Sequence, residues 1–331
     1  MDELEELGVF TLALHQGEEA AGLREGIPSR AAAEPPLADA PVLRVYTAEQ
    51  ALGREKAEAE RPGGVLSMAA RDLAKATAVA NAAQEQWLGG WSGGQIWESS
   101  ELLARVLCLQ PPSFWRGRRV VELGCGCGLL GLTAAAFSPR EVVLTDQVPE
   151  MAHWNALRNF GRAPLFDGPS PPRGNAAELA KLGLLPTDAT IRVKRLRWGS
   201  QQDIDLACGP APFDIVLGSD LLYHAAHHRR LATTITQLSG LGTIVLLASP
   251  DAEVDDEMMQ AFYERLRASG FELEDISEQP EVAELRVLRS APHHPPPTTT
   301  VHLLLLLLHQ HHHQRRHCNH HHNHDSLPRL G

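Results

Sequence analysis

Glycines at every second position mark the part of the sequence best suited to bind a ligand. Gly124, Gly126 and Gly128 follow an apolar run, and an Ala/Leu-rich stretch of helical character comes next. A strand that turns through glycines into a helix brings backbone N–H groups close to a bound molecule, because glycine adopts positive φ and carries no side chain. The segment therefore predicts a nucleotide-type binding site.

A dinucleotide is the first class of ligand to consider for this turn. Gly126 to Gly131 matches the dinucleotide pattern G-x-G-x-x-G, and Asp146 lies about twenty residues beyond it, as that pattern requires. Glu122 argues against a dinucleotide, since a carboxylate beside the turn would repel a pyrophosphate. An ordinary strand-to-helix turn in some other α/β protein is the remaining alternative.

With Glu122 included, the turn spells E-x-G-x-G-x-G, which resembles motif I of the seven-β-strand methyltransferases that use S-adenosylmethionine. In that family the acidic residue stands where the cofactor carries its cationic amino-acid moiety. The resemblance implies that S-adenosyl-L-methionine is the cofactor. It also implies that the turn contributes these cofactor-binding residues: Glu122, Gly124, Cys125, Gly126 and Gly128.

Two tryptophans extend this resemblance to the non-SET protein-lysine methyltransferases of the methyltransferase-like family. The stretch from Gln95 to Ser100 is similar to the V-W-x-x-A segment of that family, which implies that Trp97 lines the cofactor pocket. Without the other motifs, a core anchor is an equally good interpretation of Trp97. Trp198 stands in a segment similar to L-x-W-G, which implies a contact with adenine, and an indole suits a flat heteroaromatic ring.

Asp146 ends the second predicted strand, where an acid can accept hydrogen bonds from both ribose hydroxyls of a cofactor. Leu144 to Asp146, followed by Asn155 and Asn159, resembles the family's L-T-D…N-x-x-x-N stretch. A plain surface aspartate is the alternative. We expect Asp146 to bind the cofactor.

The acceptor side of the site is predicted at Asp220 and Tyr223, which form a D-x-x-Y motif after the fourth strand. At this position the motif resembles the signature of the same lysine methyltransferases. The resemblance implies that Asp220 attracts and orients an amine, that Tyr223 hydrogen-bonds it, and that the backbone of Ser219 touches the cofactor. A lysine amine must lose a proton first, and burial beside a sulfonium lowers its pKa from about 10.4. No metal is needed.

The elements that position these residues predict a Rossmann-like α/β fold. We expect a doubly wound, seven-stranded sheet, mostly parallel with an antiparallel last strand, within residues 89–290. Six strands are predicted to follow the first, which begins at Val120: residues 141–146, 191–196, 212–219, 241–248, 271–276 and 284–289.

The flanking regions differ in composition from this domain. Residues 1–88 are predicted to form an arm and a helical extension, with short strands at 8–15 and 42–46 and helices at 47–61 and 67–88. Residues 291–331 combine Pro/Thr repeats, many histidines and six leucines at 303–308, a run far too short to span a bilayer. We expect a low-complexity, disordered tail.

Charge and cysteine content bear on the partner and on the compartment of the protein. A net charge of −11 and a pI near 5.8 argue against a nucleic-acid-binding surface and suit a basic, lysine-bearing protein substrate. The five cysteines do not form the pattern of a disulfide framework, which indicates a reducing compartment. Cys125 and Cys127 also lack the C-x-x-C spacing of a zinc site. We expect a cytoplasmic monomer, able to enter the nucleus, with no signal peptide and no membrane partner.

Three functions remain open from the sequence. The first is an S-adenosylmethionine-dependent protein-lysine methyltransferase. The second keeps this fold and cofactor but modifies arginine, histidine or a small molecule. The third is a cofactor-binding scaffold without activity.

Overall fold

A seven-stranded sheet forms the centre of the structure, a computed structural model. The structure describes residues 10–13, 42–60, 71, 73–75, 77–78, 92–161, 184–209, 211–250, 256–277, 279 and 301–308. The sheet strands are β3 (Arg119–Leu123), β4 (Glu141–Asp146), β5 (Thr190–Arg195), β6 (Phe213–Ser219), β7 (Ser239–Pro250), β8 (Phe271–Asp275) and β9 (Val301–Leu308). Their order is β5-β4-β3-β6-β7-β9-β8. The pairs from β5 to β7 are parallel, whereas β9 is antiparallel to both of its neighbours.

Helices cover both faces of the sheet, which confirms the predicted Rossmann-like architecture. They are α1 (Ala48–Ala59), α2 (Glu98–Cys108), α3 (Pro112–Trp115), α4 (Leu129–Ala136), α5 (Glu150–Phe160), α6 (Gln201–Cys208), α7 (Ala225–Leu238) and α8 (Asp256–Ala268). One core cluster joins α2 to α5 with Val120 and Val142 on one face. A second joins α6 to α8 with Val121 and Val143 on the other. Since successive strand residues point to opposite faces, the middle residues of β3 and β4 place apolar side chains on both faces.

The strand order reverses direction at β3. Along the chain β4 and β5 are added on one side of β3, and β6 and β7 on the other. Because of this reversal, the loops that follow β3 and β6 run to opposite sides and leave a crevice at the carboxyl ends of these strands. Open α/β sheets bind ligands in such a crevice. Glu122 pairs with Leu144 of β4 and Leu217 of β6, so the predicted motif residues at these strand ends lie along one edge.

The described part of the N-terminal extension packs on α5. A two-stranded antiparallel sheet of β1 (Phe10–Ala13) and β2 (Val42–Val45) precedes α1, close to the predicted strands and helix. Glu55 of α1 is buried, where it accepts a hydrogen bond from the Trp154 indole and pairs with Arg158 at 2.8 Å. The predicted arm and most of the helix predicted at 67–88 lie outside the described residues.

The antiparallel strand differs from the sequence prediction. The strand predicted at 284–289 lies outside the described residues, whereas the leucine run, which we expected in a disordered tail, forms β9. Every residue of β9 from Val301 to Leu307 pairs with β7, and Leu303 and Leu305 are buried. Disorder was therefore the wrong prediction for these residues. Backbone pairing of β9 with β7 and β8, together with burial of its leucine side chains, offsets the entropy lost when the segment is ordered. The other predicted domain boundaries remain predictions.

None of the helices in the described ranges combines the length and apolar character needed to cross a bilayer.

Candidate active site

The glycine turn between β3 and α4 has the backbone that its sequence predicts. Gly124, Gly126 and Gly128 have φ of 57°, 48° and 84°, in the region that favours glycine. The Cys125 N–H donates to Thr145 O of β4 at 2.9 Å, which holds the turn against the neighbouring strand. A Cβ on Gly126 would lie 2.7 Å from the carbonyl oxygen of Gly93. The turn therefore requires glycine both for its conformation and for the approach of residues 92–94.

Both cysteines of the turn are buried thiols. Burial raises the pKa of Cys125 and of Cys127 well above the ordinary value, and the negative charges of Asp146 and Glu122 raise it further. A thiol with a raised pKa is a poor nucleophile. Cys125 and Cys127 therefore serve as small side chains within the turn.

Glu122 faces the start of α4 from inside the protein. Its Oε2 atom accepts the Gly131 N–H at 2.8 Å, and only 3% of the residue is exposed. Burial raises the pKa of Glu122 to about 8, although the N–H groups of Gly131 and Leu130 oppose this shift. Glu122 thus joins β3 to α4 directly, and its carboxyl is mostly protonated at pH 7 in the protein alone.

Asp146 holds the turn from the end of β4. Its Oδ2 accepts the Gly126 N–H at 2.9 Å and its Oδ1 accepts the Val148 N–H at 2.8 Å. Burial raises the pKa of Asp146 above its ordinary value, while these N–H groups favour the charged form. The second predicted carboxylate is thus brought beside the glycine turn.

Two asparagines of α5 have a role that the sequence analysis did not assign. Asn155 exchanges hydrogen bonds with the backbone N–H and C=O of Tyr46, and its Nδ2 also donates to Cys127 O at 3.0 Å. Asn159 exchanges a similar pair with Arg44. The two amide side chains thus satisfy backbone N–H and C=O groups of residues 44 and 46, as a neighbouring strand would. Asn155 also links these residues to the glycine turn.

Trp198 lies against the same turn from the end of β5. A Cβ on Gly124 would come within 3.3 Å of the Trp198 ring and 2.6 Å of a Leu221 methyl group. The half-buried ring also meets His227 edge-on, with centroids 6.2 Å apart. Trp198 therefore lies next to motif I, where a flat ring could stack on it.

Asp220 and Tyr223 line one cleft, as the D-x-x-Y interpretation requires. Its volume is about 220 Å³, and its wall consists of Ser92, Trp97, Asp220, Leu222, Tyr223, Ser249 and Pro250. We call it the Asp220 cleft. Trp97 and Tyr223 are 41% and 56% exposed there, so both rings are accessible to a ligand. The structure thus groups Trp97 with the predicted acceptor residues.

The charge of Asp146, beside the glycine turn, acts on Tyr223 in the Asp220 cleft. Burial raises the pKa of Tyr223, and the negative charge of Asp146 raises it further. Ser219, the last residue of β6, lies between the two regions and pairs with Ala248 of β7. The sequence-predicted cofactor and acceptor residues therefore share one edge of the sheet.

Asp220 has a strained backbone. Its φ is +56°, which is uncommon for a residue other than glycine, and its N–H donates to Ala248 O at 2.9 Å. Its Oδ1 atom accepts a hydrogen bond from the Ser99 hydroxyl at 2.9 Å. Strain of this kind costs about 1–3 kcal/mol and is found most often at functional sites.

Several cleft residues were not singled out in the sequence. Ser249 and Pro250 end β7, and since parallel strands end at one edge, the predicted end of that strand was the available signal. Ser92 belongs to the glycine-rich loop before Trp97, and no pattern distinguishes it from its neighbours. Among the residues that the structure describes, no cluster of three His, Cys, Asp or Glu side chains could hold a metal ion.

Comparison with known families gives a match that spans just over half of the chain. A family model described as lysine methyltransferase matches residues 80–156 and 178–267. These ranges include the glycine turn, Asp146, Trp198 and the D-x-x-Y motif.

Curated relatives carry related descriptions. A calmodulin-lysine N-methyltransferase of Arabidopsis thaliana is 32% identical over 43% of this chain and 39% of its own length. The EEF1A lysine methyltransferase 3 of Mus musculus is 28% identical over 59% of this chain and 71% of its own length. A histidine protein methyltransferase 1 homolog of Mus musculus is 28% identical over 49% of this chain and 45% of its own length. The chain thus spans less than half of two of these relatives.

Among solved structures, a TehB-like SAM-dependent methyltransferase from Corynebacterium glutamicum covers 72% of this chain and 99% of its own. Its sequence identity is 13% and its TM-score is 0.38.

Proposed function

Since the chain belongs to the lysine methyltransferase family, whose cofactor is S-adenosyl-L-methionine, we propose that it methylates lysine side chains of a protein substrate. The observation that carries this proposal is the Asp220 cleft, in which Asp220, Tyr223 and Trp97 meet beside the glycine turn. A carboxylate with two aromatic rings suits a cationic side chain on a flexible stem.

The residues around the glycine turn fit the cofactor. Asp146 supplies negative charge, and the buried Glu122 carboxyl supplies a second one when it ionises beside a cation. Both favour a ligand with ammonium and sulfonium groups over a dinucleotide. Asp146 ends its strand where a ribose is expected, and Trp198 offers a ring for adenine. When bound, S-adenosylmethionine supplies a methyl group on a positively charged sulfur.

The residues of the Asp220 cleft then prepare the acceptor. Asp220 attracts the lysine ammonium and directs it, and the ammonium must release a proton to solvent before it can react. Tyr223 hydrogen-bonds the neutral amine and aims its lone pair. Glu122, Asp146 and Trp198 would hold S-adenosylmethionine, which would supply the methyl carbon to this nitrogen while sulfur kept the C–S electron pair. The main contribution of the cleft residues is orientation, worth on the order of 7–11 kcal/mol at best.

Histidine is the second candidate acceptor. The similarity to a histidine protein methyltransferase favours it, since that relative is about as similar in identity as the EEF1A enzyme. Asp220 would orient an imidazole as well as an ammonium. Only the labelled amino acid distinguishes the two.

We further propose that the protein acts as a monomer in the cytoplasm, with access to the nucleus. Free thiols at Cys108, Cys125 and Cys127 support a reducing compartment, and the net charge of −11 supports a basic protein partner. Sedimentation of the purified chain and imaging of a tagged copy in cells test these two expectations.

The test of the activity is transfer of labelled methyl groups. The purified chain would be incubated with tritiated S-adenosylmethionine and lysate protein from cells grown with a methylation inhibitor. Purified calmodulin and EEF1A, the proteins named in the relatives above, would serve as first defined acceptors. We expect the label on methylated lysine after acid hydrolysis.

Two tyrosine variants make this test specific. Tyr223→Phe should lose most of the labelling, whereas Tyr263→Phe removes a hydroxyl on α8 that contacts only the Met259 sulfur among the described bonds, and should keep it. Label on histidine would replace the lysine proposal with the second candidate. No label on any protein would favour the scaffold.

A further inference from the structure

We propose that Ser99 is a positioning residue of this site, which acts by fixing the Asp220 carboxylate. This inference rests on the proposed function. It concerns a residue that the motifs leave without a role, because the V-W-x-x-A resemblance involves Trp97 and the residue at position 100.

The contact is short and partly buried. The Ser99 hydroxyl donates to Asp220 Oδ1 at 2.9 Å, and Ser99 is 1% exposed. A hydroxyl that is shielded from water and directed at a carboxylate makes a charge-assisted hydrogen bond, which is stronger than a neutral one. Ser99 also lies in the first turn of α2, where the helix dipole favours a negative charge.

The backbone of Asp220 makes this contact important for orientation. Asp220 leaves β6 with φ of +56°, and its N–H is bonded to Ala248 O. The backbone is thus tied to β7, while the Ser99 hydroxyl holds the side chain from α2. The carboxylate is fixed from two elements that lie far apart in sequence.

The same turn of α2 carries the opposite part of the cleft wall. Trp97 is the residue that caps α2, its indole N–H donates to Ser92 O, and its own carbonyl accepts the Ser100 hydroxyl at 2.6 Å. Ser99 therefore joins the Trp97 side of the Asp220 cleft to the D-x-x-Y side. Loss of its hydroxyl would leave both walls present but would remove a contact that orients the carboxylate.

The expected effect is on turnover. Misplacement of a group by about 1 Å can cost roughly 100-fold in rate, and a partial loss of orientation costs less. Ser99→Ala should therefore lower the rate of lysine labelling roughly tenfold at saturating cofactor. Its affinity for S-adenosylhomocysteine should change less than about twofold, because Ser99 touches no residue of the glycine turn in the described contacts.

The experiment compares four proteins: wild type, Ser99→Ala, Asp220→Asn and the double variant. The acceptor is unfractionated lysate protein with tritiated S-adenosylmethionine, and the label is counted on lysine. Thr243→Val is the matched control, because Thr243 is 2% exposed and its hydroxyl donates to Phe213 O near the opposite end of the sheet. This control should lower the melting temperature but keep the rate within twofold.

The outcomes separate this inference from the proposed function. A tenfold loss in Ser99→Ala that disappears in the Asp220→Asn background supports it, since Ser99 then acts through the carboxylate. Ser99→Ala with more than half of the wild-type rate overturns it. A parallel loss of cofactor affinity, or a full further loss in the double variant, would show a merely structural role. A wild-type chain that labels no lysine overturns the proposed function together with this inference.

Discussion

At the scale of single residues, the charge of Asp220 and its backbone conformation can be tested separately. Asn tolerates positive φ better than most residues and keeps the shape of the carboxylate, whereas Ala loses the side chain and is strained there. Substitution by Asn therefore removes mainly the charge, whereas substitution by Ala removes the charge and also strains the backbone.

We expect Asp220→Asn and Tyr223→Phe to reduce methyl transfer about 100-fold or more, because each removes a group that orients the amine. Affinity for S-adenosylmethionine by calorimetry should stay within about twofold. Asp220→Ala should match Asp220→Asn in activity but melt at a lower temperature. Full turnover by Asp220→Asn would contradict the lysine-specific assignment while leaving the fold assignment intact.

Glu122 predicts a dependence of stability on pH. Its pKa in the folded protein is about 8 rather than 4.5, so the folded state holds a proton that the unfolded state loses. The associated stability is fully present below pH 4.5 and is lost as the pH rises through about 8, by at most about 5 kcal/mol.

Glu122→Gln should remove this pH dependence, since an amide can still accept the Gly131 N–H but does not titrate. Urea unfolding without cofactor, at pH 5.5, 7 and 8.5, measures the difference between the variant and wild type. Glu264→Gln, on the exposed side of α8, should follow the wild-type profile. A wild-type free energy of unfolding that stays constant over this range would be evidence against the buried, protonated carboxyl.

At the scale of elements, α5 connects the N-terminal segment to the site. Asn155 and Asn159 lie one helical turn apart and bind the backbone at Tyr46 and Arg44, yet only Asn155 also reaches Cys127 O. The pair therefore distinguishes support of the fold from support of the glycine turn.

Asn155→Ala and Asn159→Ala should each destabilise the protein by about 2–4 kcal/mol, because two or more buried hydrogen bonds are lost in each. Denaturant unfolding measures this loss. Only Asn155→Ala should also weaken cofactor binding, since it releases the glycine turn. Equal cofactor affinities in the two variants would show that Asn155 does not position the turn.

The sequence predicted the elements whose signals are local. β4 was predicted at the residues where it occurs because an apolar run ends in an acid, and α8 ends before Gly270, whose φ of +96° stops the helix. Ser99 could not be assigned, because its partner Asp220 is 121 residues away and the hydroxyl carries no local pattern. The leucine run was misjudged for a related reason, since only its pairing with β7 and β8 makes it a strand.

At the scale of the whole molecule, β9 connects the end of the described chain to the Asp220 cleft. Val301 pairs with Pro250 and His302 with Ser249, and both β7 residues line the cleft. β9 also joins β8 to the remainder of the sheet. The leucine run therefore serves both the sheet and the site.

Deletion of residues 300–331 should lower the melting temperature by at least about 10 °C or yield insoluble protein, because β7 and β8 lose their shared partner. Deletion of residues 310–331 keeps β9 and is the matched control, with an expected change below about 2 °C. Scanning calorimetry and solubility measure both. Equal stability of the two truncations would show that β9 contributes little to the sheet.

The position of β9 also fixes an order of events during synthesis. The ribosome releases β7 and then β8, but β9, which separates them, is the last of the described strands to emerge. Until then the nascent chain presents two unpaired strand edges that face each other, and such edges are templates for self-association. The sheet therefore closes only after translation has passed residue 308, and until then these strand edges remain open to self-association.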